Sequence, residues 1–177
     1  PSGSSQNLET PSWGTLGFDW GDQVEGRVAG ALVDIYDGTN EGSDEVGLGF
    51  EEIWDTFSSQ VDDTFLQFFT AWRNLGYGDC TVDATIHQNT IDYDSAPVIA
   101  NLPDVNCAED AFCSNVIDVW AFASDAECND SQLIFTISGN TNPEVGVSFD
   151  GRYIDVNPEN DFFGSSTVTL RVTDPAG

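Results

Sequence analysis

The sequence predicts an α+β protein, a small helical domain followed by an antiparallel β-sandwich that lacks its last strand. Three observations carry this. Apolar residues recur every three or four positions from about residue 22 to residue 89. From residue 98 they alternate with polar residues in short runs. Ala96-Pro97 marks the point where one period gives way to the other. A period near 3.6 is that of a half-buried helix, and a period of two that of a half-buried strand.

Residues 1–20 are rich in Ser, Gly and Pro, with Trp13, Phe18 and Trp20 scattered among them, and read as an extended arm. Residues 21–93 form the expected helical domain. In its first helix Val24, Val28, Ala31, Leu32 and Ile35 share a face, and Asp22 with Glu25 reads as a capping box. A second helix is expected over 46–57, with Phe50, Ile53, Trp54 and Phe57 on one side. A third, over 61–75, carries Phe65, Phe68, Phe69 and Trp72 and ends at Gly76-Tyr77-Gly78. A shorter fourth is expected over 81–89. This aromatic stripe is first of all the core of a small bundle.

Residues 96–177 form the expected sandwich. Its six strands are placed at 98–102, 116–122, 133–137, 145–149, 153–156 and 167–172, each β-branched or aromatic and bounded by Gly, Pro, Asn or Asp. Asp150-Gly151 predicts a type I′ hairpin, because that turn needs positive φ at both central residues. Thr173-Asp174-Pro175-Ala176-Gly177 reads as a turn with nothing after it, as in a segment of something longer.

Charge is the outlier of the composition. There are 31 Asp+Glu against four Lys+Arg, all arginine, for a net charge of −27. With 40% hydrophobic and 12% aromatic residues the chain has enough apolar surface to fold, so the acidity is not a mark of disorder. Such a surface repels nucleic-acid phosphates and anionic membranes, which argues against both as partners. No apolar run approaches the ~20 residues of a membrane span. The charge calls for cations, either high salt or millimolar calcium, and calcium is the expected cofactor.

Calcium takes six to eight oxygen ligands, so carboxylates gathered by loops are the candidate sites. In an up-and-down sandwich, alternate loops fall at one pole. Asp92 and Asp94 in the linker, Asp125, Glu127 and Asp130 after the second strand, Asp150 between the fourth and fifth, and Asp174 after the sixth share one end. Glu109 and Asp110 share the other with Glu159 and Asp161. In the loop after the first helix Asp37, Thr39, Glu41, Ser43 and Glu45 stand at EF-hand ligand positions and Gly42 at the glycine position. Leu48 replaces the closing glutamate, so Asp34 and Asp44 are the substitute ligands, and a plain acidic loop is the alternative.

The four cysteines lack metal-site spacing and fit two disulfides, hence an extracellular or cell-surface location. Cys107 and Cys113 flank one loop and are expected to pair. Cys128, at the pole nearest the helical domain, is expected to pair with Cys80. Catalysis has little to work with. His87 is the one histidine and stands beside no nucleophile motif. Acid pairs are too abundant to mark a glycosidase. Asn129-Asp130-Ser131 is a glycosylation sequon.

Residues 96–177 resemble the cadherin-like, immunoglobulin-like repeats of large surface and secreted proteins. The likeness lies in Ala96-Pro97-Val98-Ile99, Leu102-Pro103-Asp104, Glu109-Asp110, Ser124-Asp125-Ala126-Glu127, the phrase from Asn160 to Gly164, and that from Val172 to Gly177. Such repeats continue into one more strand. Residues 22–92 more loosely resemble a helical segment of secreted metallopeptidase-like proteins, through the run from Glu25 to Asp37, then Asn40 to Asp44 and Phe50 to Trp54. The His-Glu-x-x-His zinc helix of those proteins lies upstream of the segment and has no counterpart here.

The expected function is therefore a non-catalytic extracellular segment, structural or adhesive, of a surface protein or filament, stabilised by calcium and disulfides. The alternative is the C-terminal part of a secreted zinc metallopeptidase. A carbohydrate-binding module using Trp13 or Trp20 is a third reading. The expected partners are other protein chains, among them copies of the chain itself. A sandwich ending at its sixth strand exposes an edge and an apolar groove beside Val168, Leu170 and Val172, and bare edges recruit strands. Residues 1–20 of a neighbouring copy are the expected donor, which builds a head-to-tail filament. A seventh strand past Gly177 is the alternative.

Overall fold

The computed structural model describes residues 20–39 and 42–177. The arm expected at 1–20 thus lies outside the described residues except for Trp20, as do Trp13 and Glu41. The chain divides into two compact units, one helical up to Ser95 and one of β-structure over Ala96–Asp174.

Four helices build the first unit: α1 (Glu25–Tyr36), α2 (Phe50–Ser59), α3 (Phe65–Asn74) and α4 (Cys80–Gln88). Helix α3 shows why these residues stop and start where they do. The Thr64 side chain caps it by accepting from the Gln67 N–H, satisfying one of the donors that every helix start leaves over. At its other end Gly76 N–H donates to Arg73 O and Tyr77 N–H to Trp72 O, while the Tyr77 ring packs 5.2 Å from Trp72. That is a Schellman stop with its hydrophobic contact, and Gly76, at φ 86°, supplies the left-handed residue it needs. Helix α4 is capped by Asp79, which accepts from Thr81 and Val82 N–H.

Phe65, Phe68, Phe69 and Trp72 of α3 enter one core with Ala31 and Ile35 of α1, Ile53 of α2, Val82 and Ile86 of α4, and Ile91. Rings pack in sequence through it, Phe65 to Phe68 at 5.5 Å and Phe68 to Trp72 at 5.9 Å. Arg73 stacks over Phe69 and forms an ion pair with Asp83, which is 2% exposed.

Two expectations for this unit are corrected. Asp22 does not cap α1; its carboxylate accepts from the Tyr93 hydroxyl at 2.6 Å, and Val24 stands at the cap with no side-chain bond. The second helix starts at Phe50 rather than near residue 46, and Phe50, Trp54 and Phe57 are 60%, 59% and 46% exposed while Ile53 is buried. The apolar face of α2 is wider than the surface α3 offers it.

In the second unit the strands are β1 (Val98–Ile99), β2 (Cys113–Asp118), β3 (Ala123–Ser124), β4 (Ile134–Asn140), β5 (Val147–Phe149), β6 (Tyr153–Val156) and β7 (Val168–Thr173). All pairings are antiparallel. β1 pairs with β3, β2 with β6 and β6 with β5, while β4 pairs with β7. The up-and-down order is thereby replaced by one in which, β5 and β6 apart, neighbours in sequence separate into different sheets. The expected strand at 116–122 is broken after Asp118, whose carboxylate accepts from Trp120 N–H and turns residues 119–122 into one 3₁₀ turn. The hairpin between β5 and β6 is displaced by one residue. Among its residues only Gly151 takes positive φ, and Asp150 flanks the turn, accepting from Arg152 and Tyr153 N–H. Ile117, Val119, Leu133, Phe135, Ile154 and Val156 form the core of this unit.

Candidate functional site

The strand β7 (Val168–Thr173) places Val168, Leu170 and Val172 on one face, half-buried, and Thr169 and Arg171 on the other, exposed. β4 pairs with one of its edges from Ile134 opposite Thr173 to Asn140 opposite Val168, with a shift of register between Ile137 and Gly139. Among the described residues no strand pairs with the other edge. The half-buried face of β7 lines a groove of about 830 Å³ through Val168 and Leu170, together with Ile117, Val147, Ile154 and Val156 of another sheet and polar residues that include Asp104, Asn106, Glu109 and Ser166. The apolar ones come from separate strands because period two turns every second side chain inward. A strand edge that no described strand pairs with, near a groove of mixed polar and apolar lining, can accept an extended peptide: such an edge gives ladder hydrogen bonds and a groove takes alternate side chains.

The ends of this groove are fixed. Cys107, in its wall, is bonded to Cys113 with Cα atoms 6.1 Å apart, which ties the segment before β2 to the start of that strand. Asp161 N–H donates to Asp110 Oδ1 at 2.9 Å, joining the loops at that end. At the other end of β6, Arg152 donates from Nε and Nη2 to Asp118 at 3.1 and 2.6 Å and lies between Trp120 and Tyr153, 4.4 and 4.9 Å from their ring centres. The Arg152 bond holds the Asp118 carboxyl below its ordinary range, and backbone N–H groups do the same for Asp150. Sequence reasoning passed over this cluster. Its only signal was an isolated arginine in an acidic chain.

The expected metal ligands are placed as follows. Asp37 accepts from Thr39 N–H at 2.8 Å and Asp44, 1% exposed, from Val46 N–H, each closing its own turn. Glu45 is exposed, and Glu41 lies outside the described residues. Asp34, also buried, accepts from Asn89 Nδ2 at 2.6 Å. In the β unit Glu109 is exposed and Asp110 serves the loop contact above. Asp125 accepts from Glu127 and Cys128 N–H through Oδ1, while its Oδ2 is buried with no hydrogen-bond partner. Glu127 is half-buried, Asp174 is 3% exposed, and in the helical unit Asp94 donates its N–H to Asp92. Among the described residues no three such side chains are gathered where they could hold a metal ion. Cys80 and Cys128 are disulfide-bonded, and no described cysteine is free. His87 is exposed at the end of α4. Trp20 is 68% exposed. No described helix is long and apolar enough to cross a membrane.

Comparison with known proteins divides the chain at the same place as its fold. A family profile described as the mycolysin C-terminal domain matches residues 1–90, and one described as a bacterial Ig domain matches residues 94–177. No curated protein and no solved structure matches the chain.

Proposed function

Because this chain belongs to the mycolysin C-terminal domain family and carries a bacterial Ig domain behind it, we propose that it is a structural or adhesive segment of a surface or secreted protein, attached through its β unit. Neither matched domain is catalytic, and the chain performs no reaction of its own. The observation that carries the reading is the edge of β7 that no described strand pairs with, near a groove of mixed polar and apolar lining, a surface suited to holding another chain rather than to turning over a small substrate. Removing residues 96–177 from the parent protein, at its gene, tests it. The expected result is a protein still exported but no longer retained at the surface or in its assembly; unchanged retention contradicts the reading.

A second reading is favoured by the match of residues 1–90: the segment is the C-terminal part of a secreted zinc peptidase whose catalytic helix lies upstream. The native protein decides. An intact mass well above 19.1 kDa together with proteolysis abolished by a zinc chelator supports the peptidase. A protein of that larger mass without proteolytic activity supports the structural segment.

Calcium is the cation we assign to the acidic surface. The support is the charge of −27 and the buried, unbonded Oδ2 of Asp125. A ligand that binds only the folded chain stabilises it by mass action. Chelation at moderate ionic strength is therefore expected to lower the melting temperature by several degrees. Graded recovery in sodium chloride, with no effect of chelator, would assign the charge to salt instead.

A further inference from the structure

We propose that Asn129 is a site of N-linked glycosylation, its side-chain amide nitrogen carrying an oligosaccharide. Of the chain's asparagines Asn129 alone has Ser or Thr two residues on, in Asn129-Asp130-Ser131, the acceptor pattern for this modification. A sequon serves only where a transferase reaches it, and the fold decides that. All three residues are exposed, and they stand between Cys128 and Leu133, which are 8% and 6% exposed. The triplet is an outward bridge between two buried anchors. It belongs to neither flanking strand, since β3 ends at Ser124 and β4 starts at Ile134. It forms a turn in which Gln132 N–H donates to Asn129 O at 2.8 Å.

The reacting group is lightly held. Asn129 Nδ2 donates to Gln132 Oε1 at 3.2 Å, and Asn129 N–H donates to the same oxygen at 3.1 Å. Drawing the turn out into an extended segment breaks these bonds and the one from Gln132 N–H, but no strand pairing. In extended chain, side chains two residues apart point the same way. Glu127, Asn129 and Ser131 then offer a carboxylate, the amide and a hydroxyl to one wall of a transferase groove. The donor class is an oligosaccharide joined to a lipid through pyrophosphate. Nδ2 of Asn129 bonds to C1 of the first sugar and the C1–O bond to the pyrophosphate breaks. The lipid pyrophosphate leaves with that bonding pair, and the amide proton passes to a base of the transferase. The proposal rests on export of the parent protein, because such sites are those of secreted proteins.

The test uses the parent protein made by its native host and collected from the cell surface or the medium, so that export is established before the modification is read. After reduction, cleavage following Glu127 and Glu144 releases residues 128–144, whose mass is measured. The expected result is a segment heavier by a glycan, with fragmentation placing it on Asn129 rather than on Asn140 or Asn142. Asn129→Gln and Ser131→Ala, introduced in the gene, are each expected to abolish the added mass, and Ser131→Thr to keep it. All three changes fall on exposed side chains, so the melting temperatures of the unglycosylated forms should agree. Exported protein with no sugar on Asn129 overturns the proposal and leaves export standing. Sugar that persists in Ser131→Ala also overturns it, since recognition then ignores the hydroxyl. Sugar on Ser131 itself, still present in Asn129→Gln, is O-linked and overturns it likewise. A parent protein that stays inside the cell contradicts export, and the proposal falls with it.

Discussion

The helical and β units bury their apolar residues to different depths. In the first, Trp72, Phe68, Phe69, Ile35, Ile86, Ile91 and Val82 are less than 2% exposed; in the second, among the described residues, only Val119 is an apolar side chain that deeply buried. Four helices close around an aromatic centre on all sides. Two sheets facing one another leave a trough where β7 has a neighbour on one edge only. One unit is closed around its core, and the other leaves an edge of β7 that no described strand pairs with.

The largest expected effect sharpens this contrast. Trp72→Ala empties the centre of the helical unit and should cost ~3–5 kcal/mol, whereas Leu170→Ala, at a half-buried groove wall, should cost ~1 kcal/mol because the site is already open on one side. Chemical denaturation of the two variants checks both; equal costs would mean that the groove is as closed as the helical core. Next is Arg73→Ala. It strips the ion pair from Asp83, 2% exposed, and lifts the stacked guanidinium from Phe69, for an expected loss of about 3 kcal/mol. Replacing Cys107 and Cys113 by Ser opens a short loop and should cost roughly 2 kcal/mol, felt at the groove end of the β unit.

How much of this was legible in the sequence depends on the range of the interaction. The stripe Phe65, Phe68, Phe69, Trp72 and its stop at Gly76 are local, and the sequence reading located that helix and its core side. Phe50 and Trp54 have the same period, but period does not tell whether a facing element is wide enough to cover them. Asp22 has the right spacing for a cap and loses that role to Tyr93, a partner 71 residues away. The break after Asp118 and the one-residue displacement of the hairpin are each decided by a carboxylate bonding to nearby N–H groups, an alternative that alternation patterns do not encode. The edge at Val168, Leu170 and Val172 and a groove beside it could be anticipated from the strand count, but the lining of the groove could not. Its far wall is Ile117, Ile154 and Val156, brought there by the non-local pairing of β2 with β6.

The smallest expected effect is at Tyr93. The Tyr93 hydroxyl holds the Asp22 carboxyl below its ordinary value, and burial followed by Asp22 itself pushes the phenol up. Tyr93→Phe should cost about 1 kcal/mol near neutrality. A lowered carboxyl contributes stability above about pH 4 that is lost as pH falls through its folded value, so the gap between wild type and variant should narrow in acid. A raised phenol contributes below about pH 10 and is lost as pH rises, so the wild type should decline relative to the variant in strong alkali. Denaturation midpoints across pH check the sign on both sides; a gap that widens in acid contradicts the assignment.

Amide hydrogen exchange on the dilute intact chain tests the incomplete β unit most directly, comparing β7 (Val168–Thr173) with α3 (Phe65–Asn74). Edge amides open locally at low free-energy cost, while core-helix amides wait for unfolding of their unit. The expected result is exchange from β7 many-fold faster than from α3. β7 amides as slow as those of α3 would contradict the account.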